Sequence, residues 1–118
     1  MSSFVNIIYN KDNIIESIEV NGHAGIKKSG EGYEVCIALS AITQAMYKTL
    51  LVIVGKGFLK YDIKDGFLSF KLINIDKLEN TKKEEYKIVS NGYLIGIKSL
   101  IKEYPDYIKY KEEYKNGT

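Results

Sequence analysis

The chain has no arginine and no tryptophan, and only one cysteine, one histidine and one proline in 118 residues. A single cysteine excludes an intrachain disulfide and any zinc site built from several thiolates. A free thiol fits a reducing compartment. Arginine is the residue suited to bidentate contacts with phosphates and base edges. All seventeen basic residues are lysine, and the net charge is only +2. Direct nucleic-acid binding is therefore not expected, although lysine holds phosphate as a point charge. The segment Met1-Ser2-Ser3-Phe4-Val5-Asn6 lacks the basic region and apolar core of a secretory signal. The apolar runs are broken well short of the ~20 residues that span a bilayer. The expectation is a soluble cytoplasmic protein with no membrane partner. No metal site and no organic cofactor are implied.

The residues present are those of an ordinary globular domain, 45% hydrophobic and 27% charged, read as one unit over 1–118. Phe4–Tyr9 reads as a strand, and Asn10–Asn13 as a turn. Ile14–Asn21 alternates with period two, as a half-buried strand does. Gly25–Tyr33 is a glycine-rich loop, expected to be mobile. Val35–Val54 reads as a helix, with Val35, Leu39, Ile42, Met46, Leu50 and Ile53 on one stripe. Ala38, Ala41 and Ala45 form a flatter second face, suited to a second helix or a partner subunit. Gly55 is placed as its C-cap. Phe58–Ile63 and Phe67–Ile73 are strands joined at Asp65-Gly66. Thr81-Lys82-Lys83-Glu84 has the form of a capping box before a helix over Glu84–Glu103. Gly92 and Gly96 share one face there, suited to a close crossing with Ala41 and Ala45. Pro105 ends that helix, and Tyr107–Tyr110 reads as a short edge strand. The fold class is α/β (an α+β sandwich) of order ββαββα. Its sheet is expected to be four-stranded and mostly antiparallel, covered by two helices.

The one imidazole and the one thiol are His23 and Cys36. A cysteine nucleophile needs a base to take its proton, and these two are the minimum set. Cys36 falls in the first turn of the helix as read from sequence. Unpaired N–H groups and the helix dipole favour an anion there, and the same groups suit an oxyanion. Gly22 and Ala24 leave room beside His23. Ser40 follows Cys36 by one turn, on the same helix face. Taken alone, each residue also fits a plain structural role: a small buried hydrophobe for Cys36, a satisfied polar group for His23, a bond to a backbone carbonyl for Ser40.

The words around the pair carry more. Gly22-His23-Ala24-Gly25, followed by Val35-Cys36-Ile37-Ala38-Leu39-Ser40-Ala41, resembles the paired signature of the ribosomal-processing cysteine protease family, Prp. The stretch Ile95–Pro105 resembles that family's second helix with its Tyr-Pro ending. The resemblance implies a homodimeric endopeptidase with a Cys–His dyad. Its members remove the N-terminal extension of a large-subunit ribosomal protein precursor, the twenty-seventh of the L series. By motif position Cys36 is the nucleophile, His23 the base and Ser40 the motif serine. Gly22, Ala24 and Gly25 shape the substrate-binding turn. Three features depart from the pattern. Tyr33 stands where many relatives have an acid, with Glu34 one place later. Ile37 replaces a small residue. The loop is longer by about one residue. The alternative reading from the residues is a non-catalytic peptide- or ribosome-associated binding module, capturing peptide by strand addition.

Overall fold

Alternation of side chains along the backbone decides the sheet. In β1 (Ser3–Tyr9), Ser3, Val5, Ile7 and Tyr9 are buried, and the residues between them only partly so. β2 (Ile15–Asn21) pairs antiparallel with β1, aligning Val5 with Val20 and Ile7 with Ile18. The turn between them is built on Asn10. Its Oδ1 accepts from the Asp12 and Ile14 N–H groups at 2.8 and 3.1 Å, and Asn13 takes a positive φ of 60°. In this computed structural model the described residues are 3–22 and 30–115.

The second hairpin is β3 (Leu59–Lys64) and β4 (Phe67–Leu72), turning at Asp65-Gly66 with Gly66 at φ 77°. Strand order is β3-β4-β2-β1-β5. The sheet is mostly antiparallel and covered by two helices, as expected; the C-terminal edge strand makes it five-stranded and, by running parallel to β1, mixed. β5 (Ile108–Tyr114) runs parallel to β1 along its full length, longer than the Tyr107–Tyr110 strand expected. Its alternation is hidden in sequence because an edge strand keeps much of its surface wet. Its inward positions include Glu112, whose charge is met by Lys98 Nζ at 2.8 Å.

Both helices lie on one face. α1 (Glu31–Val54) crosses β3 and β4, and α2 (Asn80–Glu103) lies against β2 and β5. Val35, Leu39, Met46 and Leu50 of α1 and Tyr86, Leu94 and Ile97 of α2 close the core over Val5, Ile7, Ile18 and Phe70. At ~25 cal/mol per Å² of apolar surface, this burial is the main stabilising term. The opposite sheet face carries Asn6, Ser17, Glu19, Ser69 and Lys71.

Three further expectations are corrected. α1 starts four residues earlier than Val35, with Gly30 as N-cap at φ 92°. Gly32 is helical despite its poor propensity. A β-carbon there would sit 3.1 Å from the Tyr107 ring, so a larger residue would need that ring to give by a few tenths of an ångström. The capping box does not form: α2 begins at Asn80 behind Glu79, with no side-chain cap bond. The close helix crossing is at Gly96 alone, and its neighbour is Ile42, whose Cδ1 lies 2.6 Å from where a β-carbon would stand. Gly92, Ala41 and Ala45 are exposed instead. In addition, α1 is long and apolar enough over Gly32–Val54 to cross a membrane by length and composition, with mean hydropathy 1.6. The apolar runs look broken in sequence because isolated Ser, Thr, Gln and Lys residues interrupt them. In the fold its inward stripe is core.

Candidate active site

All five strands have an end at one side of the sheet. β1 begins at Ser3, β2 ends at Asn21, β3 ends at Lys64, β4 begins at Phe67 and β5 begins at Ile108. The pairs Phe4–Asn21, Asn21–Phe67, Lys64–Phe67 and Ser3–Ile108 tie them together. The N-terminal turns of α1 pass over this end. A pocket of about 260 Å³ opens between helix and hairpin, lined by Cys36, Ser40 and Gln44 on one side and Lys64, Gly66 and Phe67 on the other.

Cys36 is a free thiol, 8% exposed. Its Sγ lies 3.3 Å from the Ser3 Oγ, which is itself buried. Cys36 occupies the second turn of α1, not the first as expected. The helical ladder already runs from the Glu34 N–H to the Gly30 carbonyl at 3.1 Å. The unpaired N–H groups of a helix belong to its first four residues, here around Gly30–Tyr33. The last of them, on Tyr33, stands before Cys36, whose own N–H falls within the helical ladder, so Cys36 is past the turn on which the first-turn anion argument rests.

Ser40 lines the same pocket. Its Oγ accepts from Gln44 Nε2 at 2.9 Å, rather than serving a carbonyl one turn back. That backbone role falls to Thr43, whose Oγ1 donates to the Leu39 carbonyl at 2.8 Å. Gly22 follows β2 at φ 104°, a left-handed value that favours glycine. Its N–H donates to the Gly66 carbonyl at 3.3 Å, and Gly66 is a wall of the Cys36 pocket. The backbone that leads into His23 therefore leaves the sheet at the rim of that pocket. His23, Ala24 and Gly25, with the loop through residue 29, lie outside the described residues. Of the loop expected over Gly25–Tyr33, residues 31–33 are helix.

Sequence reading missed Ser3, Gln44 and the Lys64–Phe67 turn as site residues. Gln44 was signalled by its spacing, one turn past Ser40. The hairpin turn was recognised but not its place. Ser3 carried no signal, since nothing in sequence says which strand end meets α1.

A model of the cysteine protease Prp family matches residues 4–109. A comparison with curated proteins finds no match. Among solved structures, SMU.848 from Streptococcus mutans is 28% identical, with TM-score 0.72, over 97% of this chain and 96% of that one. The essential ribosomal processing protease Prp from S. aureus, in complex with a substrate peptide, is 16% identical. Its TM-score is 0.75, over 94% of this chain and 99% of that one. The same S. aureus protease with a covalently linked product peptide gives 17% identity and TM-score 0.71 over the same shares. At these identities the S. aureus structures speak to the fold, and function is argued from the site. The family model spans both motifs and the whole of the helix that carries the thiol, and the chain therefore belongs to the Prp family of cysteine proteases.

Proposed function

We propose that this protease removes the N-terminal extension of a large-subunit ribosomal protein precursor, the twenty-seventh of the L series, with Cys36 as nucleophile and His23 as general base. The observation that carries the reading is the seating of Cys36 in a pocket whose other wall binds Gly22, the residue before His23. The S. aureus relative of the same fold is a ribosomal processing protease, which supports the substrate class.

In this mechanism the His23 imidazole takes the Cys36 proton. The thiolate attacks a backbone carbonyl carbon and forms a tetrahedral oxyanion. The C–N bond then breaks, His23 returns the proton to the leaving amine, and a thioester remains on Cys36. Water hydrolyses the thioester and frees the acid fragment. By motif position Gly22, Ala24 and Gly25 are assigned to substrate binding, and Ser40 with Gln44 offers polar contacts along the pocket. We further propose a homodimer in the cytoplasm. The outward face of α1 supports the dimer: Ile37 is 50% and Val52 84% exposed, with Ala38, Ala41 and Ala45 exposed between them. Light scattering that finds only a monomer at micromolar concentration would remove it.

The test of the protease reading is incubation with the precursor from the same organism, followed by mass spectrometry. One cut near the N-terminus is expected. Cys36→Ala and His23→Ala each lower the rate at least a thousandfold. Cleavage by Cys36→Ala at the wild-type rate overturns the reading.

A further inference from the structure

We infer that Ser3 is a positioning residue for the Cys36 sulfur, holding the thiolate through its hydroxyl. This rests on the reading of Cys36 as nucleophile. Ser3 stands at an inward position of β1, followed on the same face by Val5, Ile7 and Tyr9. Such a position ordinarily takes an apolar side chain, because burying a hydroxyl costs free energy unless it finds a partner. Ser3 is 2% exposed, and the partner its hydroxyl finds is the Cys36 Sγ at 3.3 Å.

The backbone that carries this hydroxyl is held from two sides. The Ser3 N–H donates to the Tyr107 carbonyl at 2.7 Å, and Ser3 pairs with Ile108 of β5. Tyr107 also packs its ring against Gly32, one turn before Cys36. The start of β5 thus fixes both the strand that bears Ser3 and the helix turn that leads to the sulfur. The Phe4–Asn21 pair sets Ser3 beside the end of β2, where the chain passes through Gly22 toward His23.

The chemistry follows from donor and acceptor capacity. A thiol both donates and accepts weakly, so the neutral pair is satisfied whichever atom donates. A thiolate only accepts, so the bond then requires the Ser3 O–H to donate. A hydrogen bond to the charged form favours that form, and bonds to ions are about twice as strong as neutral ones. Ser3 therefore aims the sulfur and raises its thiolate fraction. This matters all the more because Cys36 lies beyond the helix's unpaired N–H groups. The charged groups lining the pocket from the hairpin are Lys64 and Asp65. They and His23 are retained in the test, so a change is assigned to Ser3.

The experiment uses the fact that the chain has one cysteine, so iodoacetamide reports Cys36 alone. Alkylation rate is measured against pH for wild type, Ser3→Ala and Ser3→Thr, beside kcat and KM on the precursor peptide. Circular dichroism confirms that each variant is folded. Ser3→Ala is expected to move the alkylation profile to higher pH. It is also expected to lower kcat about tenfold while leaving KM within about twofold. Ser3→Thr, which keeps the hydroxyl, restores both. A folded Ser3→Ala with an unmoved profile and wild-type kcat overturns the proposal, as does a folded Ser3→Thr no better than alanine. The labelling arm needs no turnover. If Cys36→Ala still cleaved, the protease reading would fall. If Cys36→Ala is dead and Ser3→Ala is unchanged, only the role of Ser3 falls.

Discussion

Tyr86 is wholly buried in α2, and its hydroxyl donates to the Ile15 carbonyl at 2.7 Å. It bolts the second helix to the start of β2, beside the irregularity where β1 and β2 shift register between Ile8 and Tyr9. Tyr86→Phe keeps the ring and removes one oxygen. The cavity term is then small, and the cost is the lost bond plus a buried carbonyl left unpaired, about 1–3 kcal/mol. In urea, with a slope of about 1–2 kcal/mol per M for a domain this size, the midpoint should fall by roughly 1 M. A second arm uses pH. Burial, and then the charge of Glu16, hold the Tyr86 hydroxyl far above the ordinary tyrosine range. A folded value above the unfolded one means the stability is full below pH ~10 and is lost as pH rises beyond it. That loss is about 1.4 kcal/mol per pH unit. Phenylalanine cannot ionise. The advantage of wild type over Tyr86→Phe should therefore be constant from pH 7 to 9 and shrink above pH ~10. Tyr9, pushed up to about 12 by burial and then by the Glu112 charge, titrates in both proteins and cancels in the difference. Equal midpoints at pH 7, or a gap that stays constant to pH 11, would refute the reasoning.

The two glycines of α2 should separate. Gly92→Ala meets nothing within 4 Å and should gain about 1 kcal/mol of helix propensity. Gly96→Ala forces Ile42 Cδ1 to retreat and should fall short of that gain by about 1–2 kcal/mol in the same melts; equal stabilisation would count against the close crossing. At the β5 edge, Glu112 accepts from Lys98 at 2.8 Å, from Tyr110, and from Tyr114 at 3.1 Å. Burial pulls its pKa upward, but the hydrogen bonds of Lys98 and Tyr110 outweigh it and hold the pKa below the ordinary glutamate value. Its stabilisation is present above that ordinary value and is lost as pH falls through the lower folded one. Glu112→Gln should thus cost about 1–2 kcal/mol at pH 7 and progressively less as pH falls below the ordinary glutamate value, and a pH-independent deficit would contradict this. Ser40→Ala, which frees Gln44 at the pocket wall, should raise KM more than it lowers kcat in peptide kinetics.

The two hairpins were legible because their signals are local. Ile18 and Val20 alternate with polar neighbours, and Asp65-Gly66 names its own turn. The long helix was legible from its stripe, but its start was not. Gly30 and Gly32 read as loop, and the contact that favours a small residue at 32 comes from Tyr107, far along the chain. The capping box had the right letters and the wrong place, since the helix had already begun at Asn80. β5 was underestimated because an edge strand rich in lysine and glutamate shows little hydrophobic period, and its pairing with β1 is parallel and non-local. Of the site, Cys36, Ser40 and Gly22 were found through the motif words. Ser3 was not, because its meaning depends on which strand ends gather beneath α1.

The most direct measurement is the intact mass of the protein quenched in acid during turnover of the precursor peptide. Expected is a covalent acyl adduct with the mass of the N-terminal fragment, mapped by digestion to Cys36 as a thioester and absent in Cys36→Ala. An adduct mapped to another residue would contradict the account.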